Sequence, residues 1–277
     1  MESISLDALL GDDGELAGED VKACCASIYE SEPVAWLLDG QLHPGGEALT
    51  RRTAQLAAIG AGDRVLDVAS GHGGTARLLA RELGAKVVGL ELGAGAVAGA
   101  RAATAEAGLS NAVEFVEGDA EALPFEAGEF DAIVCECSLC TFPEKVTAAN
   151  ELARVLSGGG RVAIADVTAE PERLPAPLQA AAARVACVAD ALPMDGYVSL
   201  LEDAGLEVTA REPHDRELAA MVDRVEARLR LARMLRLPQA APYRDQIEPA
   251  IELARLARRA IEDGVLGYSV IVARASA

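Results

Sequence analysis

The sequence predicts an α/β protein organised on a seven-stranded, mostly parallel sheet. Two observations carry the prediction. Short β-branched and apolar runs alternate with helical patterns from Arg64 to Arg211, the signature of βαβ units. Among them, Arg64-Val-Leu-Asp-Val68 enters a glycine-rich turn containing Gly71, Gly73 and Gly74 and continues as a helical pattern. That order, strand then tight loop then helix, lets the backbone approach a ligand where a Cβ would block it, with the first helical amides facing that ligand.

In chain order, residues 1–18 are acidic and weakly patterned and read as a lead-in. Residues 20–59 are helical in pattern but broken at Pro33 and at His43-Pro44-Gly45-Gly46. Short helices joined by turns are therefore expected, and residues 1–59 read as an N-terminal helical lid over the mouth of the sheet. The core is placed at 60–212. Its strands are expected at 64–68, 86–91, 112–117, 130–135, 161–167 and 206–211, with helices at 94–107, 144–156, 176–188 and 195–204. Residues 213–264, rich in Ala, Leu, Arg and Glu, form a C-terminal helical insertion long enough to need its own structure. Residues 265–277 hold the last edge strand, at 268–273. The arginines of 224–236 are interspersed with acids and read as a solvated amphipathic face.

The chain has 277 residues and a net charge of −19, from 25 basic and 44 acidic side chains. Such a surface repels a phosphate backbone, so no nucleic-acid partner is expected. No apolar run approaches the roughly eighteen residues of a spanning helix, and the first residues lack the basic region of a secretion signal. A soluble cytoplasmic protein with no membrane partner is expected. The six cysteines then read as thiols.

The spacing Gly71-x-Gly73-x-x-Ala76 satisfies the loose dinucleotide pattern, which leaves NAD open. Asp67, on the strand before the glycines, discriminates: there an acid can reach a cationic ammonium through the loop. With it the segment resembles motif I of the class I S-adenosylmethionine (SAM) methyltransferases. Ala69 stands at the first glycine position, a replacement also seen in ubiquinone and menaquinone C-methyltransferases. Glu91, twenty residues beyond Gly71 and followed by Leu92, is placed to take both hydroxyls of a ribose. The segment Gly118-Asp119-Ala120-Glu-Ala-Leu-Pro-Phe125 resembles the adenine-binding motif of the same enzymes. The resemblance implies a Rossmann-like class I methyltransferase that binds SAM through Asp67, Ala69, Gly71, Gly73, Glu91, Leu92, Asp119, Ala120 and Cys135.

Cys135, Cys137 and Cys140 cluster at the end of the fourth strand, at the crevice where ligands of parallel sheets sit. Three further segments narrow the resemblance: Asp20-Val-Lys-Ala-Cys24-Cys25 with Leu42-His43-Pro44; Asp131 to Cys137 with Pro143-Glu-Lys145; and Leu174-Pro175 with Cys187 before Ala191-Leu192. Together they are similar to the arsenite methyltransferases. That resemblance implies that Cys24, Cys137 and Cys187 hold trivalent arsenic as thiolates, with a thiol reductant as partner, since soft thiolates suit a soft metalloid. Arsenic keeps a lone pair that can attack a sulfonium methyl without a general base. In keeping with this, the chain's histidines are only His43, His72 and His214, and the first two read as local hydrogen-bonding residues. The chain departs from the arsenite pattern at Gly74-Thr75, where that family has Arg-Asp, at Glu136, where it has Asn, and in lacking a Tyr-Tyr-Gly segment. The alternative is carbon, oxygen or nitrogen methylation of a small organic molecule, with the cysteines as packing.

Overall fold

The computed structural model describes residues 36–38, 42–179, 188–235 and 244–277. Its centre is a seven-stranded sheet of order β3-β2-β1-β4-β5-β7-β6. The strands are β1 Arg64–Val68, β2 Lys86–Glu91, β3 Val113–Glu117, β4 Phe130–Glu136, β5 Leu156–Ala169, β6 Glu207–Pro213 and β7 Leu266–Arg274. The first five strands pair parallel, whereas β7 runs antiparallel between β5 and β6. The order turns back between β1 and β4, which opens a crevice at the carboxyl ends of those strands.

Strand periodicity sends alternate residues to opposite layers. On β1 and β4, Val65, Ala132 and Val134 pack into one layer, and Leu66, Val68, Ile133 and Cys135 into the other. The first layer includes helices α1 Gly46–Leu56, α2 Gly74–Leu83 and α3 Ala94–Glu106; the second is built on α4 Lys145–Val155 and, past the short α5 Ala176–Gln179, on α6 Met194–Asp203. Helix α1 thus belongs to the sheet's covering: Leu49 and Ala54 are core residues, and Thr50 and Thr53 are buried with them. Most of the expected lid, residues 1–35 and 39–41, lies outside the described residues, as does 180–187 of the helix expected at 176–188.

β5 begins five residues earlier than its apolar pattern suggests. Leu156 pairs with Phe130 and Arg161 with Ala132, so the Gly158-Gly-Gly160 segment bulges out of register with Gly159 at φ 76°, and it is tied down where Gly159 N–H donates to the Ser276 carbonyl and Ala275 N–H to that of Gly160. Among the described residues the insertion is two helices, α7 Asp215–Leu235 and α8 Arg244–Glu262, between the neighbouring antiparallel strands β6 and β7. They run antiparallel, since Asp223 meets Arg258, Glu226 meets Arg255 and Glu248 meets Arg233. Of the arginines of 224–236, Arg233 bridges to the partner helix, Arg230 pairs with Glu226 on its own helix, and the other two bridges join α7 acids to Arg255 and Arg258 of α8. Trp36 and Leu37 pack against the core of this pair, and the Arg228 guanidinium, 5.5 Å from the Trp36 ring centroid, also donates to the Trp36 carbonyl. No described helix is long and apolar enough to cross a membrane.

Candidate active site

Asp67 lies on β1 one residue before its end, in register with Gly89 and Val134. It is 3% exposed. Its carboxylate accepts the Ala76 amide in the first turn of α2, and one oxygen, Oδ2, has no partner. Burial, then Glu136 and Glu91, pushes the carboxyl well above the usual carboxylate range, and the Ala76 amide offsets only part of this.

The glycine loop turns through Ala69 (φ 55°), Gly71 and Gly73, closed by a 2.8 Å bond from Gly73 N–H to the Ser70 carbonyl. An alanine at φ 55° is strained by about 1–2 kcal/mol, which identifies Ala69 as the residue at the first glycine position. Glu91 ties this loop to the next: Oε2 accepts Gly71 N–H and Oε1 accepts Gly93 N–H, both at 2.9 Å. Asp119 holds its own turn, its Oδ1 accepting Glu121 N–H at 2.9 Å.

A cleft runs along the strand ends. Ala69, Gly71, Glu91, Leu92, Asp119 and Ala120 line it, together with Leu42, Glu136, Cys137 and Phe142. Six of the nine residues assigned to the cofactor therefore share one surface. Asp67 sits beneath it, and Gly73 is taken up in packing: a Cβ there would stand 2.3 Å from Phe115 Cζ.

Of the cysteines, Cys137 alone among the described residues lines the cleft. Cys135 and Cys140 are 0% and 1% exposed. A cluster of thiols facing the crevice is thus not what forms, for a simple reason of alternation. Cys135 points into the layer of α4 and α6, where burial raises its thiol well above the ordinary range. Its side chain does not line the cleft. Cys140 packs in the other core layer, with its amide donating to Asp166 Oδ2. Cys24 and Cys187 lie outside the described residues. Among the described residues, no group of three His, Cys, Asp or Glu is arranged to hold a metal.

Sequence reasoning gave Glu136 no site role. Its side chain is 4% exposed. Oε2 accepts Thr75 Oγ1–H at 2.6 Å and Thr50 Oγ1–H at 3.0 Å, with His43 Nε2 at 3.7 Å. Oε1 is buried without a partner. Thr75 and Glu136, two of the three departures from the arsenite pattern, are thus one hydrogen-bonded pair. Cys137 follows at φ 54°, held by its N–H to the Ala165 carbonyl at 2.7 Å.

These residues fit SAM. Buried carboxylate oxygens on Asp67 and Glu136 lack a donor, and no lysine or arginine among the described residues lines the cleft. A cationic sulfonium nucleoside answers that charge; a dinucleotide pyrophosphate does not.

The family model described as a methyltransferase domain matches residues 66–164. The 27-O-demethylrifamycin SV methyltransferase of Amycolatopsis mediterranei is 31% identical over 235 residues, 82% of this chain and 84% of that protein. Other curated relatives are matched over less, between 39% and 61% of their own length. Among solved structures, the [4+2]-cyclase SpnF has a TM-score of 0.76 at 22% identity, covering 94% of this chain and 97% of that one. The Haemonchus contortus phosphoethanolamine N-methyltransferase 2 in complex with S-adenosyl-L-methionine has a TM-score of 0.78 at 16% identity, covering 95% and 61%. The two structural likenesses establish the fold, and the match along most of the rifamycin enzyme establishes the kinship: the chain belongs to the class I SAM-dependent methyltransferases.

Proposed function

We infer that the chain methylates a small organic acceptor. The observation that carries this reading is the continuity of the cleft: one surface includes the acid at the end of β2, Leu42 over Gly71 of the glycine loop, and Cys137 and Phe142 beyond the end of β4. That surface suits an acceptor with apolar surface and a few polar groups. The relative aligned along most of the chain is named for acting on 27-O-demethylrifamycin SV, an organic molecule.

In this reading Glu91 and Leu92 hold the ribose side of SAM and Asp119 with Ala120 the adenine side. Asp67 and the glycine loop hold the methionyl side. Bound there, SAM supplies an electrophilic methyl on a positive sulfur. The chain's own part is to align the acceptor with that methyl and to exclude water, which is where most of the gain in such displacements arises.

Methylation of thiolate-bound arsenic is the second reading, favoured by one observation, that half-buried Cys137 lines the cleft. One assay separates them. The reduced chain is incubated with methyl-labelled SAM and either a panel of hydroxylated, amino and enolic organic compounds or arsenite with excess thiol, and products are identified by mass spectrometry. Labelled organic product supports the first reading, whereas label only in methylarsenicals overturns it.

A further inference from the structure

We propose that Glu136 is a cofactor-binding residue that receives the α-ammonium of SAM on Oε1. This deepens the SAM reading of the cleft and rests on it.

Glu136 and Asp67 share one face of the sheet. Residues 67 and 134 are in register on neighbouring parallel strands, so Glu136 lies two residues further toward the carboxyl end on the same side. Asp67 is thereby placed under the floor of the cleft and Glu136 at its wall. The two carboxylates are close enough that Glu136 is the largest charge opposing ionisation of Asp67, with Glu91 behind it.

The contacts of Glu136 are lopsided. Thr50, Thr75 and His43 all approach Oε2, from α1, from the first turn of α2 and from the turn before α1. Two hydroxyls fix the carboxylate plane from two elements and leave Oε1 as a buried acceptor with nothing to accept. Such an oxygen is costly unless a ligand supplies a donor.

The donor must also carry charge. Glu136 and Glu91 both oppose ionisation of Asp67, and the cleft has no lysine or arginine among its described residues. A neutral acceptor hydroxyl would satisfy the hydrogen bond and leave the field unbalanced. The ammonium of the methionyl group satisfies both, through a charge-assisted bond of the stronger kind. Thr75 and Thr50 are then positioning residues.

The test is calorimetric and needs no acceptor. Full-length chain and its Glu136→Gln and Glu136→Ala variants, checked for folding by circular dichroism and melting temperature, are titrated with S-adenosylhomocysteine and with its analogue lacking only the amino group. The expected result is a loss of at least tenfold in affinity for S-adenosylhomocysteine in both variants, with the deaminated analogue unchanged within threefold. Thr75→Val should give a smaller loss of the same selectivity. Equal losses for both ligands would make Glu136 a structural residue. Unchanged affinity for both would remove Glu136 from the cofactor site. Either result overturns the proposal. Wild-type chain that binds neither SAM nor S-adenosylhomocysteine would instead refute the SAM reading itself, and the proposal with it.

Discussion

Gly73→Ala tests how the sequence builds the cofactor loop. Gly73 sits at φ +73°, where a Cβ would lie 2.3 Å from Phe115 Cζ and 2.7 Å from Cε1. Gly89 meets the same ring, its added Cβ lying 2.5 Å from Phe115 Cδ1 and 2.6 Å from Cε1, and Phe115 is itself 4% exposed. The aromatic ring of β3 fills the space that two glycines vacate, one on the loop and one on β2. The left-handed backbone costs an alanine about 1–2 kcal/mol and the overpacking about 1–3 kcal/mol. A loss of about 3 kcal/mol corresponds to a melting temperature lower by about 6–12 °C in a domain of this size. Because Gly73 N–H also closes the loop onto Ser70, SAM affinity should fall with it. The assay is thermal melting and SAM titration of Gly73→Ala, Phe115→Leu and the double variant. Replacing the ring should recover most of the steric part, giving a coupling of at least about 1 kcal/mol. A single variant melting within about 1 °C of wild type, or strictly additive losses, would refute the slot.

Asp67 is raised by burial and by Glu136, so its contribution to stability is complete below its ordinary value of 3.8 and is lost as pH rises through its folded value. The melting temperature of the ligand-free chain should therefore decline over the pH range above about 4 more steeply than that of Asp67→Asn; parallel profiles would contradict this. Tyr268→Phe removes a buried 2.8 Å bond to the Ala165 carbonyl, which also accepts Cys137 N–H. A loss of about 1–2 kcal/mol is expected in denaturant titration. Cys135→Ser places a hydroxyl in an apolar layer and should cost about 1–3 kcal/mol, while Cys137→Ser at the cleft should leave stability within about 0.5 kcal/mol. The reverse order would show that the two thiols had been assigned to the wrong sides of β4.

Much of the site was legible in the chain because it follows local rules. A strand, a glycine turn and a helix are contiguous, and acids at strand ends are brought together by a parallel register that the βαβ alternation implies. Leu156–Gly160 was not legible as strand, because glycines read as a turn unless a neighbouring edge, here Ala275 and Ser276, supplies hydrogen bonds. Glu136 was missed for a related reason: its partners Thr50 and Thr75 lie 86 and 61 residues away, and no local spacing announces them. The signal available was the alternation along β4. It places Glu136 on the face of Asp67 and Cys135 on the opposite face. The thiol trio came from resemblance rather than periodicity, and of its three members only Cys137 falls among the described residues.

Methyl transfer from SAM is tested most directly by a single-turnover experiment with the chain in excess over methyl-labelled SAM in the presence of organic acceptors. S-adenosylhomocysteine and labelled organic product should appear in equal amounts and at the same rate. SAM that binds at the cleft yet remains intact, whether the acceptor is unchanged or is converted without gaining a methyl group, would contradict it.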